Sequence, residues 1–583
     1  MTTEEIKELK QKIKDISKPG EIEKHFKFET PYKRLEKTVG EYTDNTALMY
    51  FGNKLTYKEM LNEVDLLAKG LAGCGIGKDD VVTVSLLATP YSIIMFYALM
   101  KIGAVVHLVN CSASIEEIKR ELSNFDTRYF IANDLFCSKD MRKMVFNLGI
   151  EKIIAISTLD GMPRGFNRFK IKYTIIEKIK GLRKKDFDGE KVISLSQLKK
   201  IGIANQEDIK ACGFEADRMT AIAYTSGSTG ESKAVVATYE SMDSMVYMIG
   251  LTEEEIEIGD VAFTTFPLWI YYSLVNMIHE MLNNGVAIAV DPLFDAKKFA
   301  AINNMYKFHH WQTIPPYVKQ IVDEGKKTDC SHWKRIITGG DVLDESLSER
   351  ANEYISKNGG NIKIGSGYGA SELMGGFAYP YYKNYSKHCV GKPMVGAFVK
   401  VLDVDTGEEL GVNETGVGYV HAPTIMKEYY GNPEATSHNL IKDERGIMWY
   451  NTEDLIHFNE KGEIFIDGRI RRIVLTLDKE GNPTKIIPDR VKKELQSHLF
   501  VDKCEIITVP DEEKENVAIA CVIIKECNES AELKEELIEY CSQKVPEYMV
   551  PVDVMFVKEI PLTAAQKPDL KELESMWQAN SKG

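Results

Sequence analysis

Unbroken apolar runs rich in β-branched residues recur through the first two-thirds of the chain, and helical patterns separate them. Val81–Leu86 (VVTVSL), Ala104–Val109 (AVVHLV), Lys152–Ile156 (KIIAI), Val286–Val290 (VAIAV) and Arg335–Thr338 (RIIT) are such runs, with stretches like Lys58–Leu71 lying between. A strand that is apolar on both faces has to be covered on both, which is the condition of a largely parallel sheet flanked by helices. The expected fold class is α/β. From Val399 the texture shifts to strand–turn–strand units with TG, KG and DG turns, a β-rich subdomain over about 395–470. After Arg472 it shifts again: helix Pro488–Leu499, strands Glu505–Val509 and Val517–Ile524, helix Ala531–Lys544, strand Val552–Val557. The expected division is a large N-terminal domain over 1–470 and a small α+β C-terminal domain over 471–583.

Composition limits the function. The charge balance is 73 − 87 = −14, which argues against a nucleic-acid protein that relies on phosphate contacts. Ten cysteines are scattered without Cys-x-x-Cys spacing or a histidine cluster, so neither a zinc knuckle nor a redox dithiol is indicated. Unpaired thiols fit a reducing cytoplasm. The N-terminus is charged and helical-looking, without the apolar segment of a signal peptide. The longest apolar stretch, Ser92–Val109, contains Lys101, Gly103 and His107 and reads as a buried helix followed by a strand, not a membrane span. The lysine-rich patch from Arg164 to Lys185 reads as a solvated surface insertion.

The strongest chemical signal is Tyr224-Thr-Ser-Gly-Ser-Thr-Gly-Glu-Ser-Lys233, which follows the short apolar run Thr220–Ala223. Its glycines let backbone N–H groups approach phosphate oxygens, its hydroxyls add donors, and Lys233 adds a charge. It is not a Walker loop, because Ser232 stands where that pattern needs glycine. The string resembles the phosphate loop of the adenylate-forming superfamily: acyl-CoA synthetases, peptide-synthetase adenylation domains and luciferases. Further matches follow in family order, so the resemblance runs from about Ala47 to Leu573.

The resemblance implies two α/β sheets in the large domain, a mobile small domain, and ATP with Mg²⁺ as cofactors. Thr225, Ser226, Gly227, Ser228, Thr229, Gly230 and Lys233 would cradle phosphates, with Thr229 among the catalytic groups. In Gly367-Tyr-Gly-Ala-Ser-Glu372, Tyr368 would pack on adenine, Gly369 would line the nucleotide, Ser371 would contact the α-phosphate and Glu372 would hold Mg²⁺. Gly339 and Gly340 of Thr338-Gly-Gly340 look structural or nucleotide-lining. Asp454, in a Thr-Glu-Asp where the family has Thr-Gly-Asp, would take the ribose hydroxyls, and Arg469 would steady ribose and phosphate. Lys567, in Pro561-Leu-Thr-Ala-Ala-Gln-Lys567, resembles the family's catalytic lysine, which acts when the small domain closes. Gln566 replaces the usual glycine, and Arg471 stands at the hinge position.

The implied reaction joins a carboxylic acid to ATP as an acyl-adenylate, then passes the acyl group to a thiol. Coenzyme A is the favoured acceptor; the phosphopantetheine of an acyl carrier protein acting in trans is the alternative, and a degenerate nucleotide-binding regulator is a second. The hairpin after Ile473 is longer than the family's, and it lines the thiol's approach. The segment Phe266–Ser273 lacks the acid that would pair with an α-ammonium group. Trp269, Tyr271, Tyr272 and Gly367 would line an acyl pocket suited to a fatty or aryl acid, with simple core packing equally open for Tyr271 and Tyr272.

Overall fold

The computed structural model describes residues 3–163, 190–225, 232–252, 256–341, 343–382, 384–481, 483–511, 513–525, 529–561 and 568–581. The chain forms two compact units. The larger is built mainly from Met1–Thr225, Ser232–Phe398 and Val420–Tyr450, the smaller from Val399–Tyr419 and Asn451–Gly583. The lysine-rich patch lies outside the described residues.

Two seven-stranded sheets organise the larger unit. In one the order is Val192–Ser194, Lys152–Ile156, Thr127–Asn133, Val81–Ser85, Val105–Leu108, Met219–Tyr224, Ala234–Thr238. Neighbours are parallel except for the last, antiparallel pair. In the other the order is Gly365–Ser366, Arg335–Thr338, His310–Thr313, Val261–Thr264, Ala287–Val290, Thr46–Tyr50, Asn53–Thr56. It too is parallel except for its terminal hairpin. The doubly apolar runs are therefore the strands, as their covered faces require.

The helices explain the apolar stretches that separate these strands. Pro90–Ile102 starts with a capping box in which Thr89 and Ser92 satisfy each other's backbone N–H groups, and it ends at Gly103, φ +78°. Eleven of its thirteen residues are buried, so the stretch from Ser92 is a core helix leading into the strand Val105–Leu108. Among the described residues no helix is long and apolar enough to cross a membrane. Tyr239–Thr252 is likewise buried along nearly its whole length, its Asp243 included, so it is a helix covered on every side.

In open parallel sheets, ligands gather at the carboxyl ends of the strands. Thr225 leaves the end of Met219–Tyr224, and Gly339–Gly340 leave the end of Arg335–Thr338. A small antiparallel sheet, Tyr368–Ala370, Gly375–Tyr379 and Lys392–Pro393, follows Gly365–Ser366.

In the smaller unit, Val501–Asp511 and Glu515–Ile524 pair antiparallel, and Asp553–Phe556 joins parallel. Helices Pro488–Gln496 and Ala531–Ser542 pack Val491, Leu495, Leu533 and Leu537 into one core with these strands. Val474–Leu477 and Pro483–Ile486 form a separate hairpin.

Candidate active site

The phosphate string closes at its base. The Thr225 N–H donates to the Lys233 carbonyl (3.0 Å), and the Lys233 N–H donates to Thr225 Oγ1 (3.1 Å). Behind it, Tyr224 Oη lies 2.9 Å from His107 Nε2, whose Nδ1 lies 3.0 Å from Thr83 Oγ1. Burial pushes the His107 pKa down to about 3, so the ring is a neutral strut between Thr83 and Tyr224. Ser226, Gly227, Ser228, Thr229 and Gly230 lie outside the described residues, as does Lys567.

Glu372 sits in a short turn, Ser371–Leu373, between two strands of the small sheet. The turn is tight: a Cβ on Gly369 would collide with the Gly375 carbonyl, so position 369 requires glycine. Met374 closes the turn at φ +58°. Glu372 is buried, its Oε1 accepts a hydrogen bond from Tyr429 Oη (2.6 Å), and its carbonyl accepts from the Met426 N–H (2.7 Å). The Lys233 ammonium lies 4.6 Å over the Tyr429 ring and donates to Asn439 Oδ1 (3.4 Å). One buried tyrosine thus ties the lysine of the phosphate string to the carboxylate of the second motif. Tyr368 packs on Phe377, with ring centroids 4.8 Å apart.

Sequence reasoning missed Tyr429. The signal was Tyr430-x-Asn-Pro, one residue further on, whose helix Pro433–Asn439 carries the Asn439 that holds Lys233.

The aromatic segment divides by depth. Trp269 packs with Leu87, Cys111 and Leu135. Tyr271 is fully buried and donates to the Val235 carbonyl (3.0 Å), which places it in the core. Tyr272 opens a π-helix, Tyr272–His279, a rare form that tends to mark functional sites. Its ring is partly exposed and its hydroxyl reaches under the glycine loop, where a Cβ on Gly339 would lie 3.2 Å from it. The Gly339 N–H donates to the Thr313 carbonyl, Gly340 has φ +80°, and the Gly367 N–H donates to the Thr338 carbonyl.

In the smaller unit, Asp454 and Arg469 face each other across an antiparallel pair, and Arg469 Nε lies 3.0 Å from Asp454 Oδ1. Asp454 is buried. Its neighbour Glu453 has φ +56°, the left-handed backbone that glycine adopts without strain. The Arg469 N–H donates to Asp489 Oδ2 (3.1 Å), and the Arg472 guanidinium pairs with the same carboxylate.

Among the described residues no three His, Cys, Asp or Glu side chains gather as a metal cage. Mg²⁺ needs none: one or two carboxylate oxygens with phosphate oxygens and waters suffice, and Glu372 offers a hard oxygen donor in a fixed orientation.

Residues 35–430, more than half the chain, match the family model described as AMP-binding enzyme, and residues 491–567 match the AMP-binding enzyme C-terminal domain. The chain is 25% identical over 536 residues to a 4-coumarate–CoA ligase-like protein of Arabidopsis thaliana, covering 90% of this chain and 86% of that one. It is 24% identical to a long-chain-fatty-acid–CoA ligase of Bacillus subtilis, covering 91% and 92%. In fold it resembles ATP-bound MatB from Rhodopseudomonas palustris, with a TM-score of 0.77 at 18% identity over 95% of this chain and 99% of that one. The chain therefore belongs to the AMP-binding enzymes, the adenylate-forming acid–thiol ligases.

Proposed function

We propose that this ligase activates a fatty or aryl acid with ATP and transfers the acyl group to coenzyme A. The observation that carries the reading is the Lys233–Tyr429–Glu372 chain, which joins a phosphate-binding lysine to a metal-binding carboxylate. The acid's carboxylate attacks the α-phosphorus, pyrophosphate leaves, and the acyl-adenylate remains. Two anions must meet, so the protein's part is charge neutralisation and in-line positioning. Lys233, the hydroxyls from Thr225 to Thr229, and Ser371 serve the phosphates. Asp454 and Arg469 serve the ribose, and Lys567 supplies charge during adenylate formation. Glu372 would hold Mg²⁺, which when bound neutralises phosphate oxygens. In the second step the thiol attacks the adenylate carbonyl and AMP departs.

Relatives named for aryl and for long-chain acids both lie at about the same distance, in keeping with either acid class. A cytoplasmic setting is the accompanying proposal, since all nine described cysteines are free thiols. The test is hydroxamate trapping over straight-chain, aryl and amino acids, followed by transfer from the best acid to free coenzyme A and to a holo-carrier. Adenylation of apolar acids with transfer to coenzyme A is expected. Transfer to the carrier alone would replace the acceptor, and no AMP with any acid would make the chain a nucleotide-binding regulator.

A further inference from the structure

At the foot of the phosphate string lies a wedge of four rings to which the reaction above gives no task. His107 meets Tyr224 edge-on, with ring centroids 5.6 Å apart, and Phe125 lies against His107 at 4.3 Å. Tyr430 in turn lies against Phe125 at 4.4 Å. His107 and Phe125 are buried, and Phe125 shares an apolar cluster with Val105, Ile222 and Ala234. The wedge is bonded as well as packed. Tyr224 Oη lies 2.9 Å from His107 Nε2 and donates to the Glu121 carbonyl (3.4 Å), while Thr83 Oγ1 lies 3.0 Å from His107 Nδ1. A neutral imidazole has one donor and one acceptor, so both nitrogens are engaged and the ring is held in one orientation.

Two arms leave this wedge, and both end at the site. Tyr224 stands opposite Ala234 in the strand pair that carries the string, and it leads directly into Thr225, whose Oγ1 accepts from the Lys233 N–H. The Tyr430 N–H donates to the Ala234 carbonyl (2.8 Å), so the two tyrosines flank one residue of that strand. Tyr430 follows Tyr429, whose ring lies under the Lys233 ammonium and whose hydroxyl donates to Glu372. His107 itself stands in the strand Val105–Leu108, whose other residues are apolar and buried. An aliphatic side chain would fill that place without the desolvation that an imidazole incurs. What the imidazole adds is a fixed direction, because a fully bonded buried ring specifies one arrangement of its neighbours.

Resting on the proposed ligase reading, in which the string and Lys233 serve the phosphates of ATP, we infer that His107 and Phe125 are positioning residues for the nucleotide. They act through Tyr224 and Tyr430, holding the string and the Lys233–Tyr429–Glu372 chain at one spacing across the triphosphate. Sequence reasoning registered His107 only as a polar residue inside the apolar stretch Ser92–Val109, and Phe125 belongs to no motif.

The test is calorimetric binding of ATP and of AMP to the full chain in magnesium buffer. Displacing the string should weaken ATP, which presents three phosphates, more than AMP, which presents one. Tyr224→Phe removes the hydroxyl, and His107→Leu removes both ring nitrogens. Each should weaken ATP by about fivefold or more, the scale of one lost hydrogen bond, and AMP by less than about twofold. Because the two side chains form one contact, the double variant should lose no more than about twofold beyond the worse single variant. Phe125→Leu should likewise weaken ATP more than AMP. Equal losses for the two nucleotides, the mark of a merely structural wedge, overturn the inference and leave the ligase reading intact. So do single-variant losses that multiply in the double variant, and so does unchanged ATP binding. Failure of the wild type to bind ATP overturns the ligase reading and this inference with it. If His107→Leu fails to fold, Tyr224→Phe and Phe125→Leu decide alone through the same comparison of nucleotides.

Discussion

Among the described residues of the larger unit two carboxyl groups are completely buried, Asp243 and Glu280, and they are treated in opposite ways. Asp243 accepts from Arg34 Nε (2.7 Å), from a second Arg34 nitrogen (2.6 Å) and from the Glu29 N–H (2.9 Å). Glu280 has a neutral amide, Gln312, for company. Burial alone therefore does not say what an acid does for the fold; the partner set does. A bidentate, backbone-supported pair locks the N-terminal helix Pro31–Glu41 to Tyr239–Thr252. An acid beside one neutral amide has no such charge-holding role. Asp243→Asn should lower stability by about 3–5 kcal/mol, since it strands the Arg34 charge. Glu280→Gln should be neutral or stabilising. Urea unfolding of the two variants checks this, and equal losses would erase the distinction.

Glu372 is another buried acid and lies between these cases, with one oxygen held by Tyr429 and the proposed task of holding Mg²⁺. Glu372→Gln should lower kcat for adenylate formation by about 10²–10³-fold with little loss of stability, the scale of removing one group that stabilises developing charge. Tyr429→Phe should cost less, about 10-fold, and raise the Mg²⁺ concentration needed for half-maximal rate. Pyrophosphate exchange against a magnesium titration reads both.

Much of this architecture was legible in the residues. The doubly apolar runs located the strands because a two-sided sheet leaves them no alternative, and the Gly/Ser/Thr string starts where the strand Met219–Tyr224 ends. Tyr429 and Glu280 were not legible for a common reason. Each has a partner distant in sequence: Tyr429 touches Glu372, 57 positions away, and the helical Glu280 neighbours Gln312 on the strand His310–Thr313. Motif spacing reports chemistry carried on one segment, and these two neighbourhoods, Tyr429 with Glu372 and Gln312 with Glu280, exist only once the chain is folded. Tyr271 and Tyr272, adjacent and alike in sequence, differ because the start of the π-helix sends one hydroxyl to Val235 and the other to the glycine loop.

Acid titration sharpens the contrast further. His107 and His279 are buried, and burial holds both pKa values near 3, far below 6.5. Between those limits only the unfolded chain takes up their protons, so each lowers stability by about 1.4 kcal/mol per pH unit as pH falls below 6.5. Glu280 works in reverse: its raised pKa keeps the folded form protonated where the unfolded form is ionised, so its contribution rises as pH falls toward 4.5. Glu280→Gln should therefore steepen acid sensitivity as pH falls toward 4.5, and His107→Gln should flatten it, the latter by about 1.4 kcal/mol per pH unit. Thermal melts at three pH values show whether the slopes separate.

The smallest effect isolates backbone from burial. Glu453 is an acid whose cost lies in its backbone: φ is +56° beside Asp454, in a conformation that costs a side-chain-bearing residue roughly 1 kcal/mol and glycine almost nothing. Replacement by glycine removes that strain but frees the unfolded chain, and the two effects oppose each other. The turn itself is secured independently, because the 453 N–H donates to Asn451 Oδ1 (3.0 Å) and the 454 N–H donates to Thr452 Oγ1 (3.1 Å). Strain relief should win narrowly, so Glu453→Gly should raise stability by up to about 1 kcal/mol with the same sign at every pH. A gain that varied with pH would assign the effect to the carboxylate, and Glu453→Gln, which keeps the strain and removes the charge, would then reproduce it.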